Sequence, residues 1–110
     1  MTVNDLINKL NLTIHSGKNG LSREVSGAYV SDLLSNVMGN ANENEVWITL
    51  QTHKNVLAIA SLKDLACVIL VKGLKPEPGT AEQSENEGIP VLGTELSTFE
   101  ITGKLYDFLK

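Results

Sequence analysis

The sequence predicts an α/β fold, a mostly parallel sheet with helices on its faces. Three observations predict it. Strand-like and helix-like segments alternate four times between residues 25 and 110, the pattern of strands joined by crossover helices. "CVILVKG" (67–73) is nearly all apolar, as expected of a strand covered on both faces. Cap and stop residues such as Ser31, Gly39, Gly88 and Ser97 fall where helices would begin and end.

The opening residues read as a short helix. Thr2 is an N-cap with Asp5 three positions on, and Val3, Leu6, Ile7 and Leu10 share one face. "LTIHS" (12–16) alternates like a strand, and "GKNGLSRE" (17–24) is a turn-rich loop. "VSGAYV" (25–30) reads as a strand and "SDLLSNVMGNA" (31–41) as a helix capped by Ser31 or Asp32. "EVWITLQ" (45–51) is a strand. "NVLAIASLKDLA" (55–66) is a helix with Val56, Ile59, Ala60 and Leu62 inward. After the strand at 67–73, "PGTAEQSENEG" (78–88) is a polar helix ended by Gly88. "IPVLGT" (89–94) is a strand. The last helix (97–110) opens with a Ser97-x-x-Glu100 capping box and has Phe99, Leu105, Tyr106 and Leu109 on its apolar side.

Composition narrows the function. The chain has 110 residues, 42% of them apolar, enough for one domain with a real core over residues 1–110. Net charge is −4 and the pI near 5.0. An acidic chain without a basic stripe argues against nucleic acid and against an anionic membrane surface. The N-terminus lacks a basic region followed by a long apolar run, so no signal peptide is expected. The longest apolar run is the five residues Cys67–Val71, against about 20 for a membrane span. The expected location is the cytoplasm. Cys67, the one cysteine, lies inside "ACVILV", which predicts a buried small hydrophobe and excludes an internal disulfide.

In parallel sheets, ligands bind outside the carboxyl ends of the strands, where helix N-termini point free N–H groups. That edge would gather Ser31 and Asp32, then Gln51, Thr52 and His53, then Lys72 and Gly73, then Thr94, Ser97 and Thr98. Ser31, Thr52, His53, Lys72, Gly73 and Thr94 are therefore the candidate ligand-binding residues. Capping alone also accounts for Ser31, Thr52, Ser97 and Thr98. His53 equally suits a hydrogen-bonded junction residue, Lys72 a solvated strand end, and His15 a structural role. Glu43/Glu45 and Glu85/Glu87 read as solvated surface charges.

Motifs of chemistry are missing. No GxxxxGK[ST] phosphate loop, GxGxxG, HExxH, CxxC or GxSxG elbow occurs. No catalytic residue, metal site or cofactor is expected.

"VWITLQTHKNVLAIASLKDLACVILVKGLKPEPGTAEQSENEGIPVLGTELSTFEITGKLYDFL" resembles the DRTGG domain family. It has the family's strand, polar turn, helix and apolar strand, then a Pro-containing loop, a helix, "G-hydrophobic-P-V" and a Thr-rich helix start. "TVNDLINKLNLTIHSGKNGLSREVSGAYVSDLL" is similar to the N-terminal domain of HPr kinase/phosphorylase, with "G-L-x-R-E-V-x-G" and "V-S-D-L-L" in order. The chain departs from the name motif: Gln51-Thr52-His53-Lys54 stands at the Asp-Arg position and Val71-Lys72-Gly73-Leu74 at Thr-Gly-Gly. It resembles a subgroup of small proteins labelled serine-kinase-like. The kinase phosphate loop lies in a domain beyond these residues.

The resemblance implies a three-layer α/β/α sandwich, like the N-terminal domains of HPr kinase and of Mur ligases. It also implies a regulatory or assembly role without chemistry, self-association as a homodimer, and a protein partner. Val37 and Met38, or Tyr106 and Phe108, would supply an interface patch where exposed, while their helical spacing equally suits core residues. An alternative is a small-molecule sensor holding a phosphate- or nucleotide-like anion at the strand edge, recognisable by a polar pocket there. An enzyme with His53 as base ranks last.

Overall fold

The computed structural model describes residues 1–110 and builds one five-stranded sheet. Its strands are β1 (Thr13–Ser16), β2 (Gly27–Val30), β3 (Glu45–Thr49), β4 (Cys67–Leu70) and β5 (Val91–Gly93). The helices are α1 (Val3–Leu10), α2 (Leu34–Asn40), α3 (Asn55–Leu62), α4 (Pro78–Glu87) and α5 (Thr98–Leu109), with a 3₁₀ turn at Lys18–Gly20. Strand order is β1-β5-β4-β3-β2. β2 to β5 run parallel, and β1 joins β5 antiparallel across a bulge between Ile14 and Ser16.

From β2 to β5 the chain steps across the sheet in one direction. Right-handed crossovers then put α2, α3 and α4 on the same face. The core divides accordingly. Val46, Ile48, Cys67, Ile69, Val71 and Leu92 face one way and pack with Val3 and Leu6 of α1 and Ile101 and Leu105 of α5. Trp47, Val68, Leu70 and Val91 face the other way and pack with Val37, Val56, Leu57 and Ala60 of α2 and α3. Strand side chains alternate faces, so burial on both sides produces the unbroken apolar run of β4. The result is a three-layer sandwich, as expected.

The polar turn-rich segment has a structural task. β1 ends at the opposite edge of the sheet from β2, so residues 17–26 cross beneath the starts of the parallel strands. Arg23 Nε donates to the Gly88 carbonyl at 2.8 Å, and Nη1 reaches Asp64 Oδ1 at 3.2 Å. The Ser26 N–H donates to the Asn44 carbonyl at 3.0 Å. Asn44, Asp64 and Gly88, which precede β3, β4 and β5, are all left-handed, at φ 67°, 53° and 66°. At the same edge the strap carbonyls of Arg23 and Leu21 accept the N–H groups of Val3 and Asn4, which open α1. "GLSREVSG" thus ties three strand starts to the first helix.

Several element ends differ from expectation. The helix expected over 31–41 starts at Leu34, and neither Ser31 nor Asp32 caps it. The Asp32 carboxylate is drawn instead to Thr49 and Leu50. The helix expected to reach residue 66 ends at Leu62, because Asp64 turns left-handed and Leu65 and Ala66 enter the core. Leu62 points outward, at 69% exposed. In α5 the inward residues are Ile101 and Leu105, whereas Phe99 and Tyr106 are 87% and 70% exposed. The capping boxes Thr2/Asp5 and Ser97/Glu100 both form. The acidic pairs are not merely solvated: Glu45 accepts from the Asn42 N–H, Glu85 from the Gly17 N–H and Glu87 from the Ser61 hydroxyl. No helix is long and apolar enough to cross a membrane.

Candidate functional site

The strand register brings the sequence-derived residues to one edge. Val30 pairs with Ile48, Ile48 with Ile69, and Ile69 with Leu92, so Ser31, Thr52, His53, Lys72, Gly73 and Thr94 all follow strand ends on the same side. Their local roles divide them into separate groups.

The first group surrounds Asp32. One carboxylate oxygen accepts from Thr49 Oγ1 at 2.9 Å and from the Leu50 N–H at 2.9 Å. Gln51 Nε2 donates to the Asp32 carbonyl at 3.0 Å, and Trp47 Nε1 donates to the Ser31 carbonyl at 2.8 Å. The Ser31 hydroxyl accepts the Leu33 N–H at 3.1 Å. These bonds clip the β2–α2 turn onto the end of β3. Thr49 is fully buried, and its contribution was not visible in the sequence, where it reads as a strand residue.

The second group joins β4 to β5. The Lys72 and Gly73 N–H groups donate to the Leu96 and Thr94 carbonyls at 2.9 and 2.8 Å, and Thr94 Oγ1 accepts the Leu96 N–H at 3.2 Å. Lys72 and Gly73 are both left-handed, at φ 56° and 71°. The positive φ favours glycine at position 73, whereas the atoms a Cβ would meet there belong to the end of the exposed Glu95 side chain, which can move aside. The two N–H groups are spent on the turn and form no free anion nest.

Thr52 acts through its carbonyl, which accepts the Glu77 N–H at 3.2 Å and the Thr80 hydroxyl at 2.8 Å. It anchors the start of α4, not of α3. His53 is exposed, and its Nδ1 accepts the Asn55 N–H at 3.2 Å. His53 thus binds the first N–H of α3, as a helix cap does. Ser97 is the one capping side chain among the four capping candidates. Its bonds with Glu100 hold that carboxyl below the usual range.

No hydrogen bond or ion pair joins the Asp32 group to the Lys72–Thr94 group, and none of the six candidates lines any of the four surface clefts. No cluster of three His, Cys, Asp or Glu side chains is arranged to hold a metal ion. The clefts lie on the α1/α5 face and between α3 and α4. One, about 420 Å³, runs between β2 and α5 along Ala28, Val30, Thr102, Tyr106 and Leu109. Another adjoins it at Val30, Phe99, Thr102 and Tyr106. Thr102 Oγ1, at the junction, is the one buried side-chain polar atom without a partner. Of the residues expected as an interface, Val37 is buried, Met38 is 39% exposed, Phe108 is half-buried and Tyr106 is open.

The DRTGG domain profile matches residues 5–108. A similar solved structure is the CBS and DRTGG region of the regulatory part of Clostridium perfringens pyrophosphatase, complexed with its activator diadenosine tetraphosphate. The TM-score is 0.71 at 12% identity, over 94% of this chain and 45% of that one. The chain therefore spans less than half of that neighbour. No curated protein matches the sequence.

Proposed function

Since the chain belongs to the DRTGG domain family, we propose that its 110 residues act as one non-catalytic regulatory and assembly module. It works in a bacterial or archaeal cytoplasmic system, through self-association and a protein partner. One observation carries this reading: the sheet edge at β2 is unprotected and continuous with exposed apolar groups. Natural edge strands are blunted by lysine, proline or a bulge. β1, the other edge, has a bulge. β2 is Gly27-Ala28-Tyr29-Val30, with regular register and no charge. Val30 is 42% exposed, and Phe99 and Tyr106 stand beside it.

The occupant of this face is a second copy of the chain. Antiparallel pairing of two β2 edges about a two-fold axis is self-complementary, and it covers both copies' Phe99 and Tyr106. A polar group of the partner at the β2–α5 groove would also satisfy Thr102 Oγ1. The pyrophosphatase neighbour has its DRTGG domain in a regulatory region, which supports a regulatory role in place of chemistry. Amide hydrogen exchange tests it: protection at residues 27–30 should rise with protein concentration, while protection of β4 stays constant. Protection at β2 independent of concentration would overturn it.

The alternative is an anion sensor at the strand edge. It draws support from the exposed Lys72 and the exposed His53 ring at that edge. It predicts that Lys72→Ala abolishes binding of inorganic phosphate.

A further inference from the structure

A different part of the surface has the makings of a ligand site. α1 and α5 pack side by side on the outer face, and a cleft of about 540 Å³ opens between the last turn of α1 and the C-terminal half of α5. That volume falls within the roughly 300–1,000 Å³ of small-molecule sites. Leu10, Leu96 and Phe108 form its apolar lining, and Lys9, Asn11 and Lys104 its polar rim.

The charges at the rim are unevenly matched. The chain carries −4 overall, yet two lysines face this cleft and neither is in an ion pair. Asp107, the one acid in the lining, is held by Lys110 at 3.1 Å. Lys9 Nζ lies 5.9 Å from the Phe108 ring centroid, at the limit of a cation–π contact. The site thus combines an aromatic surface with two unpaired cations. The Asn11 backbone is left-handed where α1 ends, which places its residue at the cleft mouth.

We propose that this cleft binds a small organic anion, a flat apolar ring bearing a phosphate or carboxylate. The ring lies against Phe108, Leu10 and Leu96. The anionic group lies between the Lys9 and Lys104 ammonium groups. The six strand-edge candidates do not line this cleft, although Lys72 and Thr94 hydrogen-bond to the Leu96 backbone at its border, and the site does not depend on self-association at β2. No sequence pattern marked it, because Lys9 and Lys104 are far apart in the chain and border one cleft only when the two helices pair.

Phenyl phosphate, with inorganic phosphate as the comparison, is the probe for a titration of the full chain followed by amide NMR. Phenyl phosphate should shift Lys9–Asn11, Leu96 and Lys104–Phe108 saturably, and more tightly than inorganic phosphate. Lys104→Glu should weaken it about tenfold, the size of one lost charge-assisted contact, and Lys104→Arg should keep binding. Lys104 is exposed, so these variants should fold, and an unchanged melting temperature checks that they do. Three results would overturn the proposal: no shifts at the cleft, shifts that survive Lys104→Glu and Lys9→Glu, or equal binding of the two probes.

Discussion

Arg23 Nε donates to the Gly88 carbonyl at 2.8 Å, joining the segment before β2 to the turn before β5. The two residues are 65 positions apart. The same guanidinium reaches Asp64 and the Leu65 carbonyl before β4. One side chain therefore holds two strand starts in register with the strap. Arg23→Ala should lower stability by about 1.5–3 kcal/mol, mostly through the lost carbonyl bonds, since the exposed Asp64 pair contributes little. Arg23→Lys should recover only part, because an ammonium cannot reproduce the guanidinium fork. Urea unfolding of the three proteins measures both.

Asp32 and Thr49 form the corresponding clip at the other end of the sheet. Asp32→Ala should cost about 1–3 kcal/mol, because the buried Thr49 hydroxyl loses its acceptor. Adding Thr49→Val should cost less in the Asp32→Ala background than in the wild type. A double-mutant cycle reads the coupling.

Cys67 sits wholly inside the core, and burial pushes its thiol up to about 12. The thiolate is the reactive species. A thiol reagent at pH 8 should leave the native protein untouched and modify one group per chain once urea unfolds it.

His15 is half-buried against Gly93, and burial followed by the nearby Lys75 charge lowers its pKa from 6.5. The folded state thus prefers the neutral ring, and the unfolded state takes up the proton first. Stability should be full above pH 6.5 and fall as the pH drops below it. Denaturation midpoints between about pH 7.5 and 5.5 test the sign, and His15→Gln should flatten the slope.

The order of elements was legible because burial on both faces of a parallel sheet leaves its mark on the strands themselves. β3 and β4 announce it, and the Thr2 and Ser97 capping boxes follow from local spacing alone. What escaped the sequence depends on contacts between distant segments. Asp32 looks like a cap until β3 places Thr49 within its reach. Leu62, Phe99 and Tyr106 follow helical spacing but stand where no layer covers them. The strand edge was located correctly as a place. How its groups engage one another is set by turn geometry, such as the left-handed Lys72–Gly73 pair, and residue type does not encode that.

Sedimentation equilibrium over a range of concentrations tests the central claim, self-association through β2 and α5, most directly. The account predicts a mass twice the 11.9 kDa of one chain. It also predicts return to a single chain in Val30→Lys and in Phe99→Glu, with melting temperature kept. A mass of one chain at every concentration would contradict it, as would a dimer that persists in both variants.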